Sequence, residues 1–360
     1  LYTLLIMFPV VASAQINTDR VMAIGRNALY FEDYVLSIQY FNQVINAKPY
    51  LSDPYFYRGL AKINLDDFQG AESDCSEAIE RNPFVVSAYQ VRGLARIQQN
   101  NFAGAIEDYT KALEFDPENI GVWHNMALCR IRQEDYKGAK NDLDKLIAIS
   151  PRYTKAYLMR GEVDLKQKDT LAAEKDFGKA IEIDRYDADT WASRAILRLQ
   201  QQRYKDAEAD FDHAIRLSTR NSGVYINRAL ARYHQNNLRG AMSDYDIALD
   251  IDPNNFIGHY NRGLLRAQVG DDNRAIQDFN FVIEMEPDNM MAIFNRGLLL
   301  DQTGDYKGAI KDYSTVINEY PNFLLGYQYR AQARRKIGDV KGADADEFKV
   351  LKAQLDKQNG

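Results

Sequence analysis

Arginine and aspartate recur in this sequence at fixed separations, which makes them its first candidates for chemistry. One arginine series runs Arg58, Arg92, Arg160, Arg194, Arg228, Arg262, Arg296, Arg330, and a second, four residues further on, runs Arg96, Arg130, Arg198, Arg232, Arg266, Arg334. Aspartates stand sixteen residues after each of the first series, at Asp74, Asp108, Asp176, Asp210, Asp244, Asp278, Asp312 and Asp346, and Asp142 keeps the same register after Met126. Arginines four apart share a helix face. They could form a basic ribbon for anionic ligands, or they could pair with the aspartates. Pairing is the expected reading, because acid and base recur together and the net charge is −6. Such pairs, if exposed, contribute about 0–1 kcal/mol each, and would fix the angle between helices more than hold the fold.

Little else could carry a reaction. His124, His213, His234 and His259 have no partner at metal-ligand spacing, so each reads as a packing or surface residue, and no metal or cofactor is expected. No P-loop, dinucleotide fingerprint or G-x-S-x-G elbow occurs. The carboxylates follow a common period, as a solvated or paired face does. The expectation is a protein that is not an enzyme. With 45 basic against 51 acidic residues there is no surplus to neutralise phosphates, which disfavours nucleic acid as a partner. Cys75 and Cys129 cannot build a disulfide framework and read as small buried hydrophobes.

A repeat must position these side chains. Prolines fall at Pro49, Pro83, Pro117, Pro151, Pro253, Pro287 and Pro321, in steps of 34 residues or a multiple of 34. With that proline numbered 32, ten units run from Thr18 to Lys357 without an insertion. Position 8 is Gly or Ala from Gly25 to Ala331, position 20 is Ser37 and then alanine, and position 28 is Ile or Leu from Ile45 to Leu351. Small residues at 8 and 20 let two helix backbones approach, and the aliphatic at 28 fills the wedge between neighbouring pairs. Position 24 adds Phe41, Tyr109, Phe177, Phe211, Tyr245, Phe279 and Tyr313; position 4 adds Tyr55, Tyr89, Trp123, Tyr157, Trp191, Tyr225 and Tyr327. Each large apolar side chain so buried is worth roughly 1.5–3 kcal/mol. The arginines occupy positions 7 and 11, the aspartates position 23.

The period, the small residues at 8 and 20, the aromatics at 4 and 24 and the proline at 32 resemble the tetratricopeptide repeat family. The resemblance implies an all-α α-solenoid: helix–turn–helix units stacked into a right-handed superhelix, with the first helix of each pair lining a concave groove. It implies a non-catalytic scaffold for a peptide or protein partner. Two positions depart from the family, whose leucine at 7 and tyrosine at 11 are replaced by the arginines. One subclass clamps acidic C-terminal peptides with lysine at 5 and asparagine at 9, then asparagine at 6 of the next unit, then lysine at 2 and a base at 6. Here only Asn125 and Lys155 fit in order, with Gln90, Leu94 and Met159 at the other places, so that clamp is absent.

Helical spacing puts positions 2, 5, 9, 12 and 13 on one stripe. Position 9 supplies Leu230, Leu264 and Leu298, position 5 supplies Ile226, Tyr260 and Phe294, and position 13 supplies His234. Beside the stripe, position 6 is asparagine at Asn125, Asn227, Asn261 and Asn295. Amides donate and accept, so this set is the candidate for gripping an extended peptide backbone while aromatic walls take its side chains. The competing reading places the asparagines on a solvated helix face and the apolar stripe in inter-repeat core.

Residues 1–14 stand apart as an apolar run closed by Ala12-Ser13-Ala14, the pattern of a signal peptide whose basic n-region lies outside this sequence. No cysteine ends the run, so no lipid anchor is expected. The repeats then span 18–357, with a polar tail at 358–360. The expected protein is exported to the bacterial periplasm, outer membrane or exterior, does not insert in the membrane after signal removal, and is monomeric. The alternative is the scaffold part of a larger enzyme or sensor.

Overall fold

The computed structural model describes residues 17–359; the expected signal peptide at 1–14 lies outside it. Among the described residues twenty helices fall into two compact units that part between Ile183 and Asp184. The first unit holds α1 (Thr18–Tyr30), α2 (Tyr34–Ala47), α3 (Asp53–Ile63), α4 (Phe68–Arg81), α5 (Val86–Gln98), α6 (Phe102–Phe115), α7 (Ile120–Arg132), α8 (Tyr136–Ile149), α9 (Thr154–Lys166) and α10 (Thr170–Ile183). The second holds α11 (Ala188–Gln200), α12 (Tyr204–Leu217), α13 (Ser222–His234), α14 (Leu238–Ile251), α15 (Phe256–Gln268), α16 (Asp272–Met285), α17 (Met290–Thr303), α18 (Tyr306–Glu319), α19 (Leu324–Lys336) and α20 (Val340–Asn359). Each unit is an all-α stack of five helical hairpins. Within it each helix packs on the next, and first helices also touch the first helix of the following hairpin, as α3 does α5 and α11 does α13.

The turn inside each hairpin has one construction. Position 15 is left-handed in every repeat, from Glu32 at φ 61° through Lys168 at 65° to Gly304 at 92°. The next residue caps the second helix: the carboxylate or amide of Asp33, Asp67, Asn101, Asp135, Asp169, Asn237, Asp305 and Asp339 accepts the N–H three residues on, at 2.9–3.1 Å. Such a cap is worth about 1 kcal/mol. Across the hairpin the helices approach closely at position 8, where a Cβ on Gly161 would sit 2.5 Å from the Phe177 ring. Hairpins are tied to one another by position 4. Its ring donates to the carbonyl at position 32 of the preceding repeat: Tyr55 Oη to Pro49 at 3.3 Å, Trp123 Nε1 to Pro117 at 2.8 Å, Tyr157 Oη to Pro151 at 3.1 Å and Trp191 Nε1 to Arg185 at 3.0 Å. An aromatic with a polar tip is what that contact needs.

All eight position-7 arginines grip the aspartate at position 23 of their own repeat, at 2.5–3.2 Å. The basic ribbon therefore does not exist. Seven of them also donate to position 25 of the preceding repeat, as Arg58 does to Asn42 at 2.6 Å and Arg228 to Asp212 at 2.6 Å. The guanidinium lies over the ring at position 4, 5.0 Å above Trp191 for Arg194 and 5.5 Å above Tyr225 for Arg228. The second arginine reaches the same carboxylate, as Arg232 does Asp244 at 2.8 Å while also donating to Glu208 of the preceding repeat.

The pairs are not exposed: the carboxylates are only 1–7% exposed, so a surface-pair energy does not apply. Removing one partner of a buried pair strands a charge. In the α17–α18 hairpin Asp312 is held by Arg296 alone, because position 11 is Leu300. Arg296→Met should cost about 3–5 kcal/mol in urea unfolding of the full chain, and Arg296→Met with Asp312→Leu should cost well under that. Equal losses in the single and double variants would show that the pair is not the source.

Candidate functional site

The candidate binding residues do not line one open groove. Ile226 and Phe294 are each only 7% exposed, which corrects their reading as groove wall. Ile226 packs with Tyr225, Ala229 and Tyr245, and its Cδ1 abuts Gly258 at position 3 of the next hairpin. Phe294 meets Phe323 and Tyr329 edge-on, with centroids at 5.1 and 5.8 Å. The helix and loop that follow take up position 5 in these repeats.

The asparagines belong to the seams between hairpins. Asn295 Nδ2 donates to Tyr260 Oη of the preceding repeat at 3.1 Å, which offsets part of the rise that burial imposes on that phenol. Asn125 stands near Tyr109 of the preceding repeat and lowers the pKa of a phenol that burial raises, but the buried Oη makes no hydrogen bond. Asn227 and Asn261 are half-buried at the same register. In two other repeats position 6 is an aromatic stacked on position 24 of the preceding repeat, Tyr57 on Phe41 at 5.8 Å and Tyr329 on Tyr313 at 5.9 Å. Position 6 is thus an inter-repeat position, one residue off the exposed stripe. Tyr260, Leu230 and Leu298 are half-buried, and Leu264 is 40% exposed. His234 is exposed and stacks on Tyr204 at 4.6 Å.

An open site does lie on the stripe, in the first unit. Two adjoining depressions run along the first helices α5, α7 and α9. The smaller, about 360 Å³, is lined by Ile97, Gln98, Asn100, Phe102, Leu128, Cys129 and Arg132. The larger, about 530 Å³, is lined by His124, Leu128, Ile131, Arg132, Glu134, Tyr136, Met159, Glu162 and Lys166. Leu128 and Arg132 belong to both. The larger has an apolar floor at Leu128, Ile131 and Met159, the smaller is mostly polar, and the shared rim carries the exposed side chains of Arg132, Glu134, Glu162 and Lys166. His124 sits in the wall with Nδ1 3.3 Å from Tyr153 Oη, and burial, with the charge of Lys155, keeps its imidazole below the usual histidine range. Cys129 faces the smaller depression, but burial pushes its thiol up to about 11, so it stays protonated at neutral pH and is no nucleophile. Volumes of this size with a few polar groups at the rim suit ligand side chains.

The stripe positions 5, 9, 12 and 13 were legible, and His124, Leu128, Ile131, Arg132, Glu162 and Lys166 occupy them. What the periodicity could not show is which consecutive repeats leave space there. A third cavity, of about 330 Å³, lies in the second unit between α17, α18 and the loop before α19, with Met290, Met291, Phe294, Val316, Tyr320 and Phe323 as its apolar lining.

Comparisons with known proteins agree with this architecture. Family models described as TPR repeat and tetratricopeptide repeat match residues 93–129, 120–153, 154–187, 193–256 and 260–322, together more than half of the chain. Among solved structures, a tetratricopeptide repeat protein from Parabacteroides merdae is 21% identical over 69% of this chain and 98% of its own, with a TM-score of 0.53. The C-terminal part of a TPR repeat-containing protein from Cytophaga hutchinsonii is 17% identical over 66% of this chain and 97% of its own, with a TM-score of 0.54. The Pseudomonas aeruginosa protein pilF is 18% identical over 60% and 98%, also with a TM-score of 0.54. At these identities the likeness is one of fold. No curated protein matches the chain in sequence.

The seam assignment is testable without a partner. Asn295→Ala removes a part-buried hydrogen bond and should lower stability by about 1 kcal/mol in chemical denaturation. Leu264→Gln, at an exposed stripe position, should leave the midpoint unchanged. A silent Asn295→Ala would return that residue to the list of free groove groups.

Proposed function

The chain belongs to the tetratricopeptide repeat family, and we propose that it is a non-catalytic interaction scaffold that holds an extended segment of a protein partner against α5, α7 and α9, in the envelope of a bacterium. The observation that supports this is the pair of depressions sharing Leu128 and Arg132 on consecutive first helices. The apolar floor of the larger, at Leu128, Ile131 and Met159, can bury partner side chains. Arg132 and Lys166, at position 13 of successive repeats, stand one hairpin apart along the rim and can meet acceptors of the partner. Glu134 and Glu162 among them favour a partner of mixed charge over a uniformly acidic one.

The seams favour a rigid receiving surface. Around the site, Trp123 and Tyr157 bond the Pro117 and Pro151 carbonyls of the preceding repeats and Arg160 bonds Asp144, so the stripe is presented with little ordering cost on binding. Export rests on residues 1–14, whose apolar run and Ala12-Ser13-Ala14 fit a cleaved leader.

Two experiments separate the parts of this reading. Affinity capture with the full chain and with Arg132→Glu plus Lys166→Glu should lose the same partner by about tenfold or more in affinity. Lys307→Glu plus Lys311→Glu in the second unit should keep it, and both variants should melt as the wild type does. Undiminished capture by the first variant overturns the site. Fractionation of cells carrying the natural gene should yield the protein outside the cytoplasm with Gln15 at its N-terminus; a cytoplasmic pool that retains residues 1–14 overturns the export.

A further inference from the structure

Position 2 of the first helices faces solvent along the array, and from Asp19 to Gly223 it is polar or glycine. In the next three repeats it is Ile257, Met291 and Leu325, which are 51%, 60% and 43% exposed. They stand on α15, α17 and α19, which touch in sequence, so the three side chains form one row. Ile257 and Met291 are exposed although a further hairpin packs beyond each of them. Position 31 changes at the same place. It is Lys, Asn, Asp, Ser or Glu in the eight preceding repeats, and Tyr320, 55% exposed, in the ninth. Met291 and Tyr320 both line the cavity of about 330 Å³ between α17, α18 and the loop before α19, together with Met290, Phe294, Val316 and Phe323. An open apolar row that runs into a cavity is the kind of surface that marks an interaction site.

The charge around the row selects what can dock there. The loops at 250–255, 284–289 and 318–323 carry Asp250, Asp252, Glu284, Glu286, Asp288 and Glu319, and no lysine or arginine. No base occurs anywhere from 275 to 295 or from 312 to 329. At the same loop positions most earlier repeats place one, as at Lys48, Arg81, Arg152, Arg185 and Arg216. Asp250, Glu284, Asp288 and Glu319 face solvent, and Asp288 itself lines the cavity. A rim of one sign draws the opposite charge to it. It also disfavours a second copy of the same face, because a two-fold pair would set these acids against their own counterparts.

We propose that Ile257, Met291 and Leu325, with the cavity beside Met291, form a second docking face, for a partner segment that carries a large apolar side chain between lysines or arginines. The apolar side chain enters the cavity past Met290 and Met291, whose unbranched thioethers adapt to its shape. The flanking cations meet Asp288 and Glu319. This rim is opposite in sign to Arg132 and Lys166, so the two faces take different segments.

The test is an array of short peptides probed with the full chain. Their flanks are lysine, glutamate or serine, and their centres are either phenylalanine with leucine or serine alone. Lysine flanks around the apolar centre should bind about tenfold or more tighter than lysine flanks around serine, or than glutamate flanks around the apolar centre. Ile257→Ser with Met291→Ser should abolish the preference for an apolar centre at an unchanged melting temperature, since both side chains are already exposed. Asp288→Lys with Glu319→Lys should transfer the preference to the glutamate-flanked peptides. Binding to no peptide, binding that ignores the centre, or a preference that survives either double variant overturns the proposal. Self-association of the full chain that Met291→Ser abolishes overturns it too, by putting a second copy in the partner's place.

Discussion

The fork between the arginine at position 7 and the aspartate at position 23 is the constraint from which the rest of each stack follows. It fixes four things with one planar group: the second helix of its own hairpin through the carboxylate, the first helix through the ring at position 4, the preceding hairpin through position 25, and hence the angle between all three. An apolar leucine there would bury more hydrocarbon and could slide. A guanidinium with five donors in a rigid plane cannot satisfy these acceptors in a second register. Burying the carboxylate at 1–7% exposure has a large desolvation cost, so the fork is better understood as specifying geometry than as adding net stability. Stability comes from what the fork holds in place, the fully buried Phe41, Phe177, Phe211 and Phe279 against small residues at 8 and 20.

Where the fork is missing, the structure shows its replacement. Met126 stands at position 7 of the α7–α8 hairpin, and there Arg130 alone holds Asp142, at 2.7 Å, while its other arm reaches the capping Asp135. Thr110 at position 25 then faces the Met126 sulfur at 4.0 Å instead of a guanidinium. This least constrained seam is flanked by the two open depressions. In the second unit, whose hairpins each carry a fork, Ile226 is buried in the first-helix stripe, while Met291 and Phe294 line the cavity between α17, α18 and the loop before α19.

The fold was legible because every determinant of it repeats. Proline at 32, the small residues at 8 and 20 and the paired charges each recur at one interval, so a register error anywhere would have broken all of them together. The exposed stripe was legible too, as a set of positions. The site was not, because binding depends on differences between repeats, and periodicity averages those away. The asparagines at position 6 drew attention as a recurring polar type beside the stripe. Their recurrence is the mark of a structural seam, as the bond from Asn295 to Tyr260 and the stacking of Tyr329 on Tyr313 at the same register show.

That distinction sorts the chain by how much freedom each position retains. Positions 4, 7, 8, 20, 23, 24 and 28 are committed to the stack, and position 6 to the seam. Position 13 of the first helices is exposed in every repeat, so changes there cost little stability, and Arg132 and Lys166 stand there. A substitution at Arg132 or Lys166 should therefore alter association before it alters folding.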